Sequence, residues 1–136
     1  MKLRDTPENR VVQAIMLATS ARVDWLRNPA GVGTMKSGVT MRIGLGGILG
    51  TSDWIGIVRA TGRFFALETK APGKKPDIVA LDKTIRAGDY CPNECRHPKC
   101  RLVHQELFLR RIRASGGIGI FADCPEDIIQ AIEEAR

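Results

Sequence analysis

The 136-residue chain is short of several features that sort proteins into large classes. Its opening residues, Met1-Lys2-Leu3-Arg4-Asp5-Thr6-Pro7-Glu8, hold no apolar core of a secretion signal. No apolar run approaches the length of about 18 residues that a membrane span requires. There is no P-loop or dinucleotide fingerprint, because Gly44-Leu45-Gly46-Gly47-Ile48-Leu49-Gly50 has the wrong spacing and leads into a strand pattern, not a helix. No internal repeat is visible. Acidic residues are the minority, 15 against 21 Lys and Arg, for a net charge of +6. The expected setting is therefore a cytoplasmic protein (host cytoplasm if phage-encoded) away from any membrane, with a polyanionic partner. The length suits one domain, 1–136, with a real core.

The most informative stretch runs from Gly50 to Lys70. Two segments rich in β-branched and aromatic residues flank a turn dipeptide, Thr61-Gly62, and predict a β-hairpin. With a two-residue loop, Ala60 faces Arg63, Ile55 faces Glu68 and Asp53 faces Lys70. Alternation then puts Asp53, Glu68 and Lys70 on one face with Ile55, Ile57, Phe64 and Ala66. Trp54, Val58, Phe65 and Leu67 take the other face. Both faces are apolar, so the pair is expected at the centre of a sheet covered on both sides. Two carboxylates that converge can hold Mg²⁺ or Mn²⁺, hard cations that prefer oxygen ligands, and a neighbouring lysine can orient water or stabilise phosphate oxygens. This set suits phosphodiester hydrolysis. A solvated Glu-Lys pair beside a surface Asp is the plainer account of the same residues.

The other elements fall around this hairpin. Thr6 and Pro7 start a helix whose stripe is Val11, Ile15 and Ala18, widened by Val12 and Met16. Glu8, in its first turn, lies at the edge of that stripe or simply complements the helix dipole. Arg22 to Asn28 reads as a short strand. Pro29 to Gly50 holds seven glycines in 22 residues and reads as a loop with a brief strand around Thr40 to Ile43. Lys36 and Arg42 in that loop, Lys74 and Lys75 after the hairpin, and Arg110, Arg111 and Arg113 are candidate contacts to a nucleic-acid backbone. Asp77 to Ala87 is a candidate short helix. Leu102 to Ser115 is a helix stopped by Gly116-Gly117, with Gln105, Phe108, Leu109 and Ile112 on one stripe. Gln105, an amide on a core-facing stripe, needs a partner, and the charged end of the hairpin is one candidate. Ile118 to Ala122 is an internal strand, and Pro125 opens the last helix with Cys124 at its cap.

Three of the four cysteines crowd into ten residues: Cys91, Cys95 and Cys100, with His97 and His104 close by. In a reducing compartment such a group reads as thiols or a metal site, not disulfides. Tetrahedral Zn²⁺ takes four ligands of this kind, and the expected set is the three cysteines with His97 or His104 fourth.

The element order, with Asp53 opening one strand and Glu68-Thr69-Lys70 closing the next, resembles the PD-(D/E)xK nuclease fold. The nearest likeness is to its VRR-NUC family in the small stand-alone phage and bacterial form. Glu8, Trp25 through Gly31, Gly50-Thr51-Ser52-Asp53, Phe65 through Lys70, Gln105 through Gly117 and the closing strand and helix carry the likeness. It implies an α/β fold with a restriction-endonuclease-like αβββαβ core and a central mixed sheet flanked by helices, to which this chain adds a Cys/His-containing insertion at about 72–100 that departs from the family pattern. It also implies a Mg²⁺- or Mn²⁺-dependent DNA endonuclease leaving 5′-phosphate and 3′-hydroxyl ends. Asp53, Glu68 and the Thr69 carbonyl would ligate the metal, Lys70 would activate the water, and Gln105 and Glu8 would complete the site. The family's stand-alone members imply a homodimer acting on branched DNA such as Holliday junctions. The alternative is a non-catalytic, zinc-stabilised DNA-binding protein on the same scaffold; a restriction-type enzyme reading base sequence is a further one. The cysteine segment lies outside the resemblance and rests on ligand chemistry alone.

Overall fold

A computed structural model describes residues 4–28, 31–34, 36–43, 50–93 and 95–135. The elements are α1 (Pro7–Thr19), β1 (Val23–Arg27), β2 (Gly31–Thr34), β3 (Thr40–Ile43), β4 (Trp54–Val58), β5 (Phe64–Thr69), α2 (Ile78–Ala87), α3 (Pro98–Ala114), β6 (Ile118–Ala122) and α4 (Pro125–Glu134). Four strands form a mixed sheet in the order β1-β4-β5-β6, with β1, β4 and β5 antiparallel and β6 parallel to β5. The hairpin is central, as its two apolar faces predict.

Helices cover both sides of this sheet. On one side Phe65, Leu67 and Val58 pack with Val11 and Ile15 of α1 and Ile128 and Ile132 of α4. On the other, Ala66 and Phe121 pack with Leu81 of α2 and Val103, Phe108 and Leu109 of α3. Because β5 is enclosed on both faces, Phe65 through Thr69 are all buried, the charged Glu68 included. Phe65 is fully buried and meets Trp25 edge-on, ring centroids 5.1 Å apart.

The hairpin register differs from the expected one by two residues. Trp54 pairs with Leu67 and Ile55 with Ala66, so the loop is Arg59 to Gly62 rather than Thr61-Gly62 alone. The Val58 carbonyl accepts from the Thr61 and Gly62 amides, and Gly62 takes the left-handed conformation (φ 71°) that closes the turn. A one-residue slip would have exchanged the faces, whereas two residues preserve them. The consequence is local. Continuing the ladder one step past Trp54–Leu67 sets Asp53 opposite Glu68, not opposite Lys70.

Three further expectations change. The stripe of α1 turns toward Thr19 in place of Ala18, which is exposed. Buried Thr19 donates to the Ile15 carbonyl (2.7 Å) and accepts from Trp25 Nε1 (2.9 Å), so its hydroxyl is satisfied in the core. The strand at Thr40–Ile43 has a partner, Gly31–Thr34, in a separate two-stranded sheet. Helix α3 starts at Pro98, four residues before Leu102, because the His97 Nδ1 accepts from the Lys99 amide and caps it.

Gly50 joins the chain entering β4 to α3. It has φ 73°, and a Cβ there would collide with the His104 carbonyl group and come within 2.6 Å of the Gln105 amide nitrogen. We expect Gly50→Ala to lower unfolding free energy by about 2 kcal/mol or more, from the positive φ and the overlap together. Denaturant melts test this; a variant as stable as the parent would show that the two segments do not touch.

Candidate active site and a cysteine cluster

The central strands end in a group of polar side chains. Glu68, on the last turn of pleat in β5, accepts at Oε1 from Gln105 Nε2 of α3 (2.8 Å). The same amide accepts at Oε1 from Lys70 Nζ (3.1 Å), so Gln105 links the acid to the ammonium two residues beyond it. This is the partner that an amide on a buried stripe requires. Lys70 is held from below: its backbone amide donates to the Ala122 carbonyl of β6 (2.9 Å), and its ammonium lies 5.7 Å from the centre of the Phe121 ring. Glu8 reaches the site from the first turn of α1 and accepts from Thr69 Oγ1 (3.3 Å). Asp53, exposed, stands at the mouth beside Glu68.

Two buried atoms here have no hydrogen-bond partner, Glu68 Oε2 and Ser52 Oγ. Burial, and next the charge of Asp53, push the Glu68 carboxyl up to about 8, with Lys70 pulling it down, Glu8 adding to the rise and Arg101 opposing it. Burial is the largest influence, and among the described residues no donor reaches Glu68 Oε2.

Sequence reasoning passed over four residues of this region. Asn28 is buried at the end of β1; its Nδ2 donates to the Ser52 carbonyl (3.0 Å) and its amide to the Asp53 carbonyl (2.6 Å), so it fixes the backbone that presents Asp53. Ser52 entered only as part of the Gly50-to-Asp53 motif and Arg101 only as one cation of a basic helix, neither with a role at this site. Glu106 is almost fully buried on α3 and pairs with Arg113, with Arg110 Nε at 3.8 Å. Its position three residues from both Val103 and Leu109 was the available signal.

The candidate DNA contacts divide. Lys36, Lys74 and Arg111 are exposed. Lys75 lies between Asp127 (3.0 Å) and Asp123 (3.8 Å), Arg110 pairs with Asp82 (2.8 Å), and Arg113 donates to the Gly119 carbonyl (2.7 Å) besides meeting Glu106. The Arg42 side chain lies outside the described residues. Asp123, Cys124 and Asp127 also form a possible ligand group, but the Lys75 ammonium already supplies its positive charge. A cleft of about 380 Å³ opens at the other end of the sheet, lined by Val58, Thr61, Arg63 and Ile118, away from all these carboxylates.

The cysteine segment folds as its spacing suggests. The sulfurs of Cys91, Cys95 and Cys100 lie within 4.8 Å of one another, a group that can hold a metal such as zinc, and neither imidazole is a member of it. The Cys91 amide donates to Cys100 Sγ (3.4 Å) and the His97 amide to Cys95 Sγ (3.5 Å). The His97 amide lowers the Cys95 thiol, while hydrogen bonding to Cys95 and then to Cys100 raises that of Cys91 to about 11. Without a cation, three thiols this close cannot all ionise.

No family model, curated protein or solved structure matches the chain.

One measurement bears on Glu68 directly. From the ordinary carboxylate range up to about pH 8, the unfolded chain carries Glu68 ionised and the fold keeps it protonated. The folded state then binds more protons, so stability falls as pH rises, by up to about 1.4 kcal/mol per pH unit from this group. In metal-free buffer the stability of the parent should therefore drop relative to Glu68→Gln between about pH 5 and about pH 8. Equal pH dependence in urea melts would mean that Glu68 ionises normally in the fold.

Proposed function

We propose that the chain is a divalent-metal-dependent DNA endonuclease with a restriction-endonuclease-like core, similar to the VRR-NUC family, that acts on branched DNA as a homodimer. The observation that carries this reading is the buried Glu68 carboxyl, one oxygen unpartnered, within reach of the Asp53 charge. Such a pair disfavours two negative charges in the empty site and favours them when a hard dication stands between. The candidate ligand atoms on Asp53, Glu68 and Thr69 are all oxygens, which suits Mg²⁺ or Mn²⁺ over a thiophilic ion. Asp53, Glu68 and the Thr69 carbonyl are the groups that would hold it. When bound, the ion would acidify a water and offset charge that builds on the scissile phosphate.

The chain's own residues supply the rest. Gln105 fixes the Glu68 oxygen and the Lys70 ammonium relative to each other, so both reach the reacting phosphate in set positions. Lys70 donates to the attacking water or to a phosphate oxygen, where its positive charge counts most as the phosphorus gains a fifth ligand. Glu8, through Thr69, steadies the segment that carries both. One site per domain cuts one strand. Symmetric cutting of a junction therefore calls for two copies about a two-fold axis.

The test uses a labelled four-way junction and a matched linear duplex with Mg²⁺, Mn²⁺ or chelator. We expect paired, metal-dependent nicks in the junction and loss of at least about 100-fold in Asp53→Ala, Glu68→Ala and Lys70→Ala, with folding and DNA binding retained. Gln105→Ala should lose less, about tenfold, since it positions groups without replacing them. Full cleavage by a folded Asp53→Ala, Glu68→Ala double variant would sink the proposal, and a monomer in sedimentation would remove the junction-resolving part of it.

A further inference from the structure

The two histidines beside the cysteine group are not equivalent. The His97 Nδ1 accepts from the Lys99 amide, so in the neutral ring Nε2 carries the proton and has no lone pair to offer a metal. The His104 Nε2 lies 2.8 Å from the Cys91 carbonyl. A carbonyl only accepts, so that nitrogen carries the proton and Nδ1 keeps its lone pair. A ring whose other nitrogen donates to a backbone carbonyl is the usual state of a metal-bound histidine. His104 also follows Cys100 by four residues on α3, so the two side chains leave the same face of the helix. Tyr90, next to Cys91, stacks edge-on against its ring at 5.8 Å and holds it to the loop.

Distances agree with a metal of one kind. Four ligands at about 2.3 Å in a tetrahedron stand about 3.8 Å apart. The three sulfurs already lie within 4.8 Å of one another and need only a small contraction, while the His104 nitrogen lies outside that group and has to move in to complete the set. Two of the three sulfurs accept backbone amide hydrogens, which stabilise thiolates.

We propose that Cys91, Cys95, Cys100 and His104 form a structural zinc site that pins the loop after α2 to the first two turns of α3. The bonds formed are three Zn–S and one Zn–N. The three thiol protons pass to solvent, and no electron is transferred. All four ligands are supplied by the chain, so no position is left open for water or substrate, and the site fastens the fold without reacting. The proposal does not depend on nuclease activity.

The experiment is metal analysis of the full-length protein purified without added metal, followed by chelator competition and cobalt substitution. We expect about one zinc per chain and, with Co²⁺, the visible bands of tetrahedral three-sulfur, one-nitrogen coordination. Cys91→Ser, at an exposed position, should fold and lose the metal; Cys100→Ser, at a buried one, is not needed for the decision. His104→Ala should weaken zinc binding at least about tenfold and alter the cobalt bands. His97→Ala should lower thermal stability through the lost helix cap and leave zinc affinity and cobalt bands as they are. Less than about 0.2 zinc per chain in the parent protein would overturn the site. Unchanged binding and spectrum in His104→Ala, or equal losses in both histidine variants, would overturn the choice of His104.

Discussion

A carboxyl group at the end of a strand enclosed on both faces is the constraint from which the rest of this structure follows. Strand β5 must be buried twice over for two helical layers to share one sheet, and its last residues carry that burial into Glu68. The cost of removing a carboxylate from water is several kcal/mol unless donors or cations replace the lost solvent. Gln105 replaces part of it at one oxygen, and among the described residues no donor reaches the other. A core position chosen for stability alone would hold an apolar residue here. The site is thus a place where local chemistry opposes folding, the pattern expected where function outweighs stability.

Helix α3 carries the compensation. It buries Val103, Phe108 and Leu109 against the sheet, and on the same turns presents Gln105 to the carboxyl and Glu106 to two arginines. Its entry is fixed from three directions: by the His97 cap, by the cysteine loop, and by Gly50 packed against the His104 carbonyl. Gly50 and Ser52 lead directly to Asp53, whose backbone Asn28 holds from the other side. The loop that presents one carboxylate and the helix that supports the other are therefore in contact through backbone atoms, where displacement is hardest.

Much of this was legible before the structure because faces obey parity. Alternation alone put Asp53, Glu68 and Lys70 on one face, and the two-residue change in register left that parity intact. The loop length was not legible, since Thr61-Gly62 serves a two-residue turn and a four-residue turn equally well and only the paired side chains decide. The helix boundaries followed from their caps where the cap was proline or glycine. The start of α3 was missed although Pro98 stands at its first position, because the capping residue before it is an imidazole and not Ser, Thr, Asp or Asn. Thr19 replaced Ala18 in the core because a hydroxyl bonded within its own helix and to Trp25 behaves as an apolar group of the right shape. Glu106 escaped notice because one acid does not stand out among the charges of α3, although it lies three residues from both Val103 and Leu109.

Net charge needs the same discipline. A total of +6 points to a polyanionic partner only to the extent that the cations are free to meet it. Arg110 and Arg113 share the buried Glu106, Arg110 also holds Asp82, and Lys75 neutralises Asp123 and Asp127. A cation paired in this way adds little net field at a phosphate, and drawing it away leaves its acid uncompensated, most severely for Glu106, which is almost fully buried. Exposed Lys36, Lys74 and Arg111 bear no such obligation in the described residues and are the better candidates to track a phosphate backbone. Of these, Lys74 follows β5, the strand that carries Glu68, by only a few residues. On the proposed reading, Lys74 would draw a phosphate backbone to the end of β5 that carries the acids, while Arg110 and Arg113 of α3 serve chiefly to hold that helix's own buried Glu106.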